Sequence, residues 1–365
     1  MTLSPRLGAA LKPLSAAALL AIVASGAQAQ SSVTLFGIID AGVRYVDNGD
    51  QDKTFASSSG LSTSRFGVRG IEDLGGGLRA GFWLESQVNP DQGTAGDGAG
   101  GRYWSRRSTV SLIMSQLGEV RLGRDVVPTY SGWLTYDAFN DNGVAQGSNF
   151  SSALTTDVDT LKRADNLVQY FLPGGLSGVY GNVAVAAGEG KSGKKYSGGR
   201  LGYAAGPLDI SGSYGQTDVD EGAPNTATDD DRYKMWTAGA SYDFGVAKVL
   251  GYYMQEKAGR LKLDVAHIGA LIPFGPGTVR VGYTNANGSG PEYMAGSTRR
   301  FGGADANAFA LGYVYDLSKR TALYGTVAHI SNDDGGIFNT VSSSDLALPV
   351  GENSTGVEIG IRHSF

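Results

Sequence analysis

The sequence predicts an all-β fold, a 16-stranded antiparallel transmembrane β-barrel with short turns at one end, long loops at the other and the third loop folded inward. Three observations carry this. Apolar and polar residues alternate with period two along most of the chain. Glycine-rich turns recur between the alternating runs. Beyond the N-terminal region no run of 18 apolar residues occurs, so a membrane helix is not available and a closed barrel is the other backbone-satisfied way to span a bilayer.

The first 29 residues stand apart. Arg6 and Lys12 are the only charges before Asp40, an apolar run covers Leu14–Val23, and Ala27-Gln-Ala29 follows. A positive start, a short apolar core and an A-x-A end read as a secretory signal peptide; the run is too short to span a bilayer as a helix. Residues 1–29 are therefore expected to be removed, leaving 30–365 as one barrel domain that begins at Gln30.

Composition agrees with a barrel. Glycine supplies 56 of 365 residues, roughly twice ordinary usage, which weighs against helices. Tyrosine is frequent at 18 and cysteine is absent, so a secreted chain of this kind is not held by disulfides. The balance of 30 basic to 35 acidic residues argues against nucleic-acid binding.

The first strand reads Val33-Thr-Leu-Phe-Gly-Ile-Ile-Asp-Ala-Gly-Val-Arg-Tyr-Val46. Val33, Leu35, Ile39, Ala41, Val43 and Tyr45 form a lipid face; Thr34, Asp40 and Arg44 point the other way, with Phe36 and Ile38 among them. Phe66 and Val68 alternate with Arg65 and Arg69, and Leu78, Ala80, Phe82 and Leu84 with Arg79 and Glu85. Trp236–Tyr242, Val279–Tyr283 and Val357–Phe365 repeat the pattern. The non-lipid positions are mixed charges, Ser, Thr and Gly, as a wet lumen requires and a second core would not. A soluble sandwich or propeller would need several domains with linkers at this strand number, and no linker or composition change interrupts the chain.

Seven short turns pair the strands: Glu72–Gly77, Ser115–Glu119, Pro173–Gly175, Ala205–Pro207, Asp243–Gly245, Phe274–Gly277 and Asp316–Lys319. Gly and Asp there supply the positive φ of tight hairpins. Seven turns plus two termini on one side imply sixteen strands. The opposite connections are long, near 47–61, 90–103, 126–162, 218–230, 287–303 and 332–353, with shorter ones near 189–196 and 257–260. Tyr45, Tyr180, Tyr242, Tyr283, Tyr313 and Tyr315 are candidates for the interfacial aromatic girdles.

A sixteen-strand barrel encloses water that wall side chains cannot fill, so its properties depend on what narrows it. The segment from about Val126 to Lys162 lacks alternation, and Tyr130, Trp133 and Tyr136 make it too apolar to stay loose in solvent; it is expected to fold into the lumen. Arginines gather on the facing strands. Arg65, Arg69 and Arg79 point inward by parity. Of Arg106 and Arg107 alternation admits one, and counting from Val110 and Leu112 favours Arg107. Arg163 returns after the loop. Arginine stays charged and offers a planar fork to carboxylates and phosphates, so a ring of them in a narrow passage favours small anions. Glu85, Asp137, Asp141 and Asp165 are candidates to hold the guanidinium groups.

Taken in order, Ser32–Gly42, Ser64–Leu78, Leu122-Gly-Arg124, Tyr313–Gly325 and Gly356–Phe365 resemble the trimeric general porins of Gram-negative outer membranes, beta-proteobacterial type, over the whole of 30–365. The resemblance implies passive diffusion of small hydrophilic solutes and ions, a homotrimer with one pore per subunit, a third loop folded into each pore, and anion preference through Arg65, Arg106 and Arg163. There it prefers Arg106 where parity prefers Arg107, and both stay open. It also implies outer-membrane lipid and lipopolysaccharide as surroundings, and Phe365 as the terminal aromatic read by the barrel-assembly machinery.

Other functions find less support. A barrel hydrolase needs a base beside a nucleophile, yet His267, His329 and His363 come with no nucleophile-elbow or metal-pair spacing. No cofactor motif is present and no metal site is expected; Asp218–Glu221 and Asp229–Asp231 read as solvated loop charge. A substrate-specific channel for phosphate or organic acid anions is the alternative reading, and a structural barrel with a plugged lumen a weaker one.

Overall fold

The structure, a computed structural model, describes residues 32–96, 101–151, 154, 158–219, 232–290, 293–295, 298–300, 304–333, 335–341, 346 and 348–365. The expected signal peptide, Gln30 and the acidic run at 229–231 lie outside these residues.

Sixteen strands make the wall. The first four are β1 (Ser32–Asp47), β2 (Arg65–Gly75), β3 (Leu78–Asn89) and β4 (Arg107–Met114). Then come β5 (Gly118–Val126), β6 (Arg163–Phe171), β7 (Val179–Ala186) and β8 (Tyr196–Ala205). The third group is β9 (Leu208–Asp218), β10 (Arg232–Asp243), β11 (Lys248–Ala258) and β12 (Leu261–Phe274). The last is β13 (Gly277–Ser289), β14 (Asp305–Asp316), β15 (Thr321–Asn332) and β16 (Ser354–Ser364). Each pairs antiparallel with its sequence neighbour. The ring closes where β1 meets β16, from Ile38↔Ser364 to Asp47↔Thr355. Phe365 completes the seam by exchanging backbone hydrogen bonds with Gly37 at 3.0 and 3.1 Å. Closure leaves no edge strand, which hydrocarbon would not tolerate.

The seven short turns fall at one end. In the β2–β3 turn Gly75, Gly76 and Gly77 all have φ between 61° and 84°, a region that a Cβ would penalise. The long connections fall at the other end, hereafter the loop end.

Outward residues on β1 follow the alternation: Val33, Leu35, Ile39, Val43 and Tyr45 are exposed, whereas Asp40 and Val46 are buried. Tyr242, Tyr283 and Tyr315 are exposed on the outer face as a girdle needs. Tyr180 is not part of it. It stands opposite Gly202 with its hydroxyl on Asp209 inside the barrel, 2.6 Å away, because the inward position it occupies on β7 alternates with the outward Val179 and Val183.

Near the loop end the polarity of β10–β13 inverts. On β12, Leu261, Leu263 and Val265 are buried inside, while Lys262 and Asp264 face out between them. From Ala266 to Ile272 the outward positions are apolar. The strand thus serves as a membrane strand in one half and as the wall of a soluble core in the other. That core joins Tyr233, Met235, Tyr252, Met254, Leu261 and Leu263 to the inward-folded third loop.

Between β1 and β2 the chain forms an extra strand, Asp52–Ser58, on the loop half of β1. It then bends through 59–64 before β2 begins. Asp40 holds the bend: its carboxylate accepts the amides of Gly60, Leu61 and Ser62 at 3.2, 2.9 and 2.7 Å, and the Tyr324 hydroxyl at 2.7 Å.

Candidate functional site

The β5–β6 connection sets the lumen's shape. Its base continues the ladder, with Val127 N–H donating to Lys162 O at 3.1 Å. Pro128 then opens a short helix, α1 (Pro128–Leu134), as its fixed φ allows. The helix lies on β8, β9 and β10. Gly132 is its contact point: a Cβ there would strike the hydroxyls of Ser213 and Thr237, which bond each other at 2.7 Å. Trp133 packs between Tyr130 and Tyr252, with ring centroids 5.1 and 5.6 Å away. Tyr136 donates to Asp209 or Ser211, at 2.9 and 3.0 Å.

From there the loop follows the inner wall round to the seam. Ala138 N–H approaches His267 Nε2 at 3.4 Å. Val144 N–H reaches Glu358 of β16 at 3.1 Å, and Asn142 accepts the Thr63 hydroxyl at 2.9 Å. The return is clasped by Asp141, which accepts Tyr130 OH at 2.9 Å, Ser148 N–H at 2.8 Å and Lys162 Nζ at 2.7 Å. Burial and the Asp141 charge push the Tyr130 hydroxyl well above its ordinary value, so it stays a donor. Asp137 accepts the amides of Phe139 and Asp141 at 3.0 and 2.7 Å and lies 3.9 Å from His267; burial raises its carboxyl.

The loop covers the arc from β7 round to β16 and leaves the arc β1–β6 open. That arc carries the cations. A cavity of about 510 Å³ stands there, lined by Arg44, Arg106, Lys162 and Arg163 against Tyr130, Asp91 and Asp141. Arg106 Nε donates to Glu85 Oε1 at 2.5 Å, and Arg65 lies 3.6 Å from the same oxygen. Arg163 donates to the Arg106 carbonyl at 3.0 Å and has no carboxylate partner among the described residues. Arg44 is paired with Glu358 at 2.6 Å.

Toward the turn end a second group follows. Trp83 is stacked between Arg69 and Arg107, whose guanidinium carbons lie 4.9 and 4.4 Å from its ring centroid. Its indole N–H donates to Glu85 Oε2 at 3.1 Å. Arg107 approaches Asp125 at 3.6 Å, and Arg121 bonds Asp125 and Glu119 at 2.7 and 2.8 Å. Arg79 sits opposite Asp73, two residues into β3 and away from the cavity.

Two expectations change. Arg106 and Arg107 both point inward. Arg107 faces Glu85 in register, whereas Arg106 precedes the strand, so alternation does not constrain it. Asp137 and Asp141 hold loop amides, His267 and Lys162 instead of arginines, because the loop carries them past the cation arc. Asp165 does bind arginines, but these are Arg102 and Arg124 at 3.0 and 2.8 Å, outside the cluster. Alternation alone could have added Arg44 and Trp83, which share the inward phase of Asp40 and of Arg79 and Glu85; Lys162 offered no signal beyond its place at the end of the loop.

This is a closed barrel with a protein-narrowed, cation-lined passage, the anatomy of a channel. A protein-family model described as Gram-negative porin matches residues 16–335. "Outer membrane porin protein 32" of Delftia acidovorans is 40% identical over 95% of this chain and 98% of its own length. An outer membrane porin protein of Bordetella pertussis is 31% identical over 97% of this chain and 100% of its own. The solved "Anion-selective porin from Comamonas acidovorans" superposes with a TM-score of 0.79 at 37% identity, covering 92% of this chain and all of that one. The chain belongs to the Gram-negative porin family and is an outer-membrane channel.

Proposed function

We propose that this channel passes small hydrophilic solutes by passive diffusion with a preference for anions. One observation carries the reading: Arg65, Arg106 and Arg163 converge beside the cavity with Glu85 as their one bonded carboxylate among the described residues. In a passage whose other wall is the folded loop, the uncompensated charge attracts anions and repels cations. The test is the reversal potential across a planar bilayer under a KCl gradient, for wild type and for Arg65, Arg106 and Arg163 changed together to Ala. Chloride preference that collapses in the variant supports the mechanism; cation preference in wild type, or no change in the variant, sinks it.

A channel specific for phosphate or organic acid anions is the second reading. It draws on the convergence of Arg106, Lys162 and Arg163 on one cavity, which suits an anion with several oxygens. Saturable flux with block by one such anion would mark it; linear flux would not.

Several further assignments complete the proposal. Residues 1–29 act as a cleaved signal peptide and 30–365 form the barrel domain. The chain works without a catalytic centre or cofactor, as a homotrimer with the loop end facing outward among lipopolysaccharide. Phe365, whose ring is exposed on the lipid side of the seam, acts as the assembly signal.

A further inference from the structure

Between α1 and the seam the third loop lies on a floor of inward glycines. A Cβ on Gly269 of β12 would come 2.6 Å from that of Ala138, and one on Gly282 of β13 would come 3.1 Å from the Phe139 ring. His267 rises from the same floor, level with Tyr252 of β11 and Thr284 of β13. It is the one inward histidine of three, since His329 and His363 are exposed on the outer face. His267 is buried and stacks on Tyr252 with ring centroids 5.2 Å apart. Tyr252 in turn meets Trp133 of α1.

The hydrogen bonds fix what the ring does. Nδ1 lies 2.9 Å from Thr284 Oγ1, and Nε2 receives the Ala138 N–H at 3.4 Å. A ring nitrogen that accepts carries no proton, so the imidazole is neutral with its hydrogen on Nδ1. The Asp137 carboxylate stands 3.9 Å from Nε2, beyond hydrogen-bond distance. Three further groups that carry or can take charge surround the place. Asp141 gives its amide N–H to Asp137 at 2.7 Å, Arg280 of β13 reaches Ala138 O at 3.5 Å, and Tyr252 lies against the ring. Asp141 leads on to the cavity, because its carboxylate holds Tyr130 and Lys162 there. His267, Asp137, Asp141 and Lys162 thus stand in sequence from the inner wall to the cation arc.

We propose that His267 is a positioning residue for the third loop, and that a proton taken up on its Nε2 draws Asp137, and the 137–141 turn with it, onto the wall. In the neutral ring Nε2 holds the loop through one long bond to a backbone amide. In the imidazolium Nε2 is a donor, so it releases the Ala138 N–H and turns to the carboxylate. The proton comes from lumen water, and no other covalent bond changes. A charge-assisted N–H···O bond is about 2.8 Å long, so the carboxylate moves in by about 1 Å. Burial disfavours a charged ring, and the adjacent carboxylate offsets that cost. The motion is away from the open arc, so in acid the loop is held more firmly and the passage is wider and steadier. This rests on the chain being a channel and not on its ion preference.

The test is single-channel recording of the full barrel in phosphatidylcholine bilayers at about pH 7.5 and about pH 5.5, the range over which histidine changes charge. In wild type the open-channel noise should fall and the mean current rise at the lower pH. H267Q keeps an acceptor for the Ala138 N–H but takes no proton, and D137N removes the carboxylate. In both, current and noise should be the same at the two pH values. H329Q/H363Q, changed on the outer face, should respond as wild type does. Gel mobility before and after heating checks that each variant is folded; should H267Q not fold, D137N carries the comparison. A histidine NMR titration in detergent micelles gives a second readout, in which the His267 signal should titrate within the same range. Wild-type current and noise indifferent to pH, a pH response retained in H267Q or D137N, its loss in H329Q/H363Q, or a His267 signal that does not titrate would each overturn the proposal. None of these outcomes reads ion selectivity, so they leave the reversal-potential test independent.

Discussion

Trp83 donates its indole N–H to Glu85 while its two faces carry Arg69 and Arg107. Glu85 in turn holds Arg106 and approaches Arg65. One aromatic ring thereby links the two groups of lumen arginines. Trp83→Phe keeps the stacking and drops the donor; Trp83→Ala drops both. Each cation–π contact contributes about 0.5–2 kcal/mol, so chloride preference in a KCl-gradient measurement should fall modestly in Trp83→Phe and further in Trp83→Ala. An unchanged reversal potential in Trp83→Ala would show that the ring positions nothing.

Gly132 lets α1 lie directly on the Ser213–Thr237 hydroxyl pair. In Gly132→Ala the added methyl has no room, and either the helix lifts or the hydroxyls separate, at a cost of about 1–3 kcal/mol. Lifting the helix off β8–β10 pushes it toward the open arc and narrows the passage. Single-channel conductance should fall and become noisier, with barrel melting only slightly lower. Conductance identical to wild type would mean that the wall yields instead.

Asp40 accepts three successive amides and one phenol in a buried place. Asp40→Ala leaves those donors without an acceptor, and each such buried loss costs about 1–3 kcal/mol. The 59–64 bend should loosen, which gel shift on heating would report as a lower unfolding temperature. Asp40→Asn retains a carbonyl oxygen and should lose less. Equal melting of all three proteins would count against the bend as a structural node.

Much of the wall was legible because lipid imposes one rule at every outward position. Val33, Leu35, Ile39 and Val43 obey it, and so do Val168 and Tyr170. The rule stops where the strands leave the hydrocarbon. At Leu261–Asp264 the alternation persists, but the apolar side turns inward, and period two cannot tell which face is wet. The loop's aromatic density revealed that Tyr130, Trp133 and Tyr136 would be buried. Their partners, Ser213, Thr237 and Asp209, look like any polar lumen residue until the chain is folded. Arg106 shows the same limit at smaller scale: one residue ahead of its strand, it answers to Glu85 and not to alternation.

Fifteen of the wall's joints connect strands that follow one another in the chain, and one does not. The seam between β1 and β16 is made by the first and last parts of the barrel, down to the bond between Gly37 and Phe365. A hairpin can form as soon as its two strands exist; this joint waits for the final residue. Until then both flanks present unpaired backbone, the very surface on which chains stick to one another. Loss of even the last strand therefore does not yield a narrower pore. It yields a sheet that has nowhere to end, so completion of the chain and closure of the ring are one event.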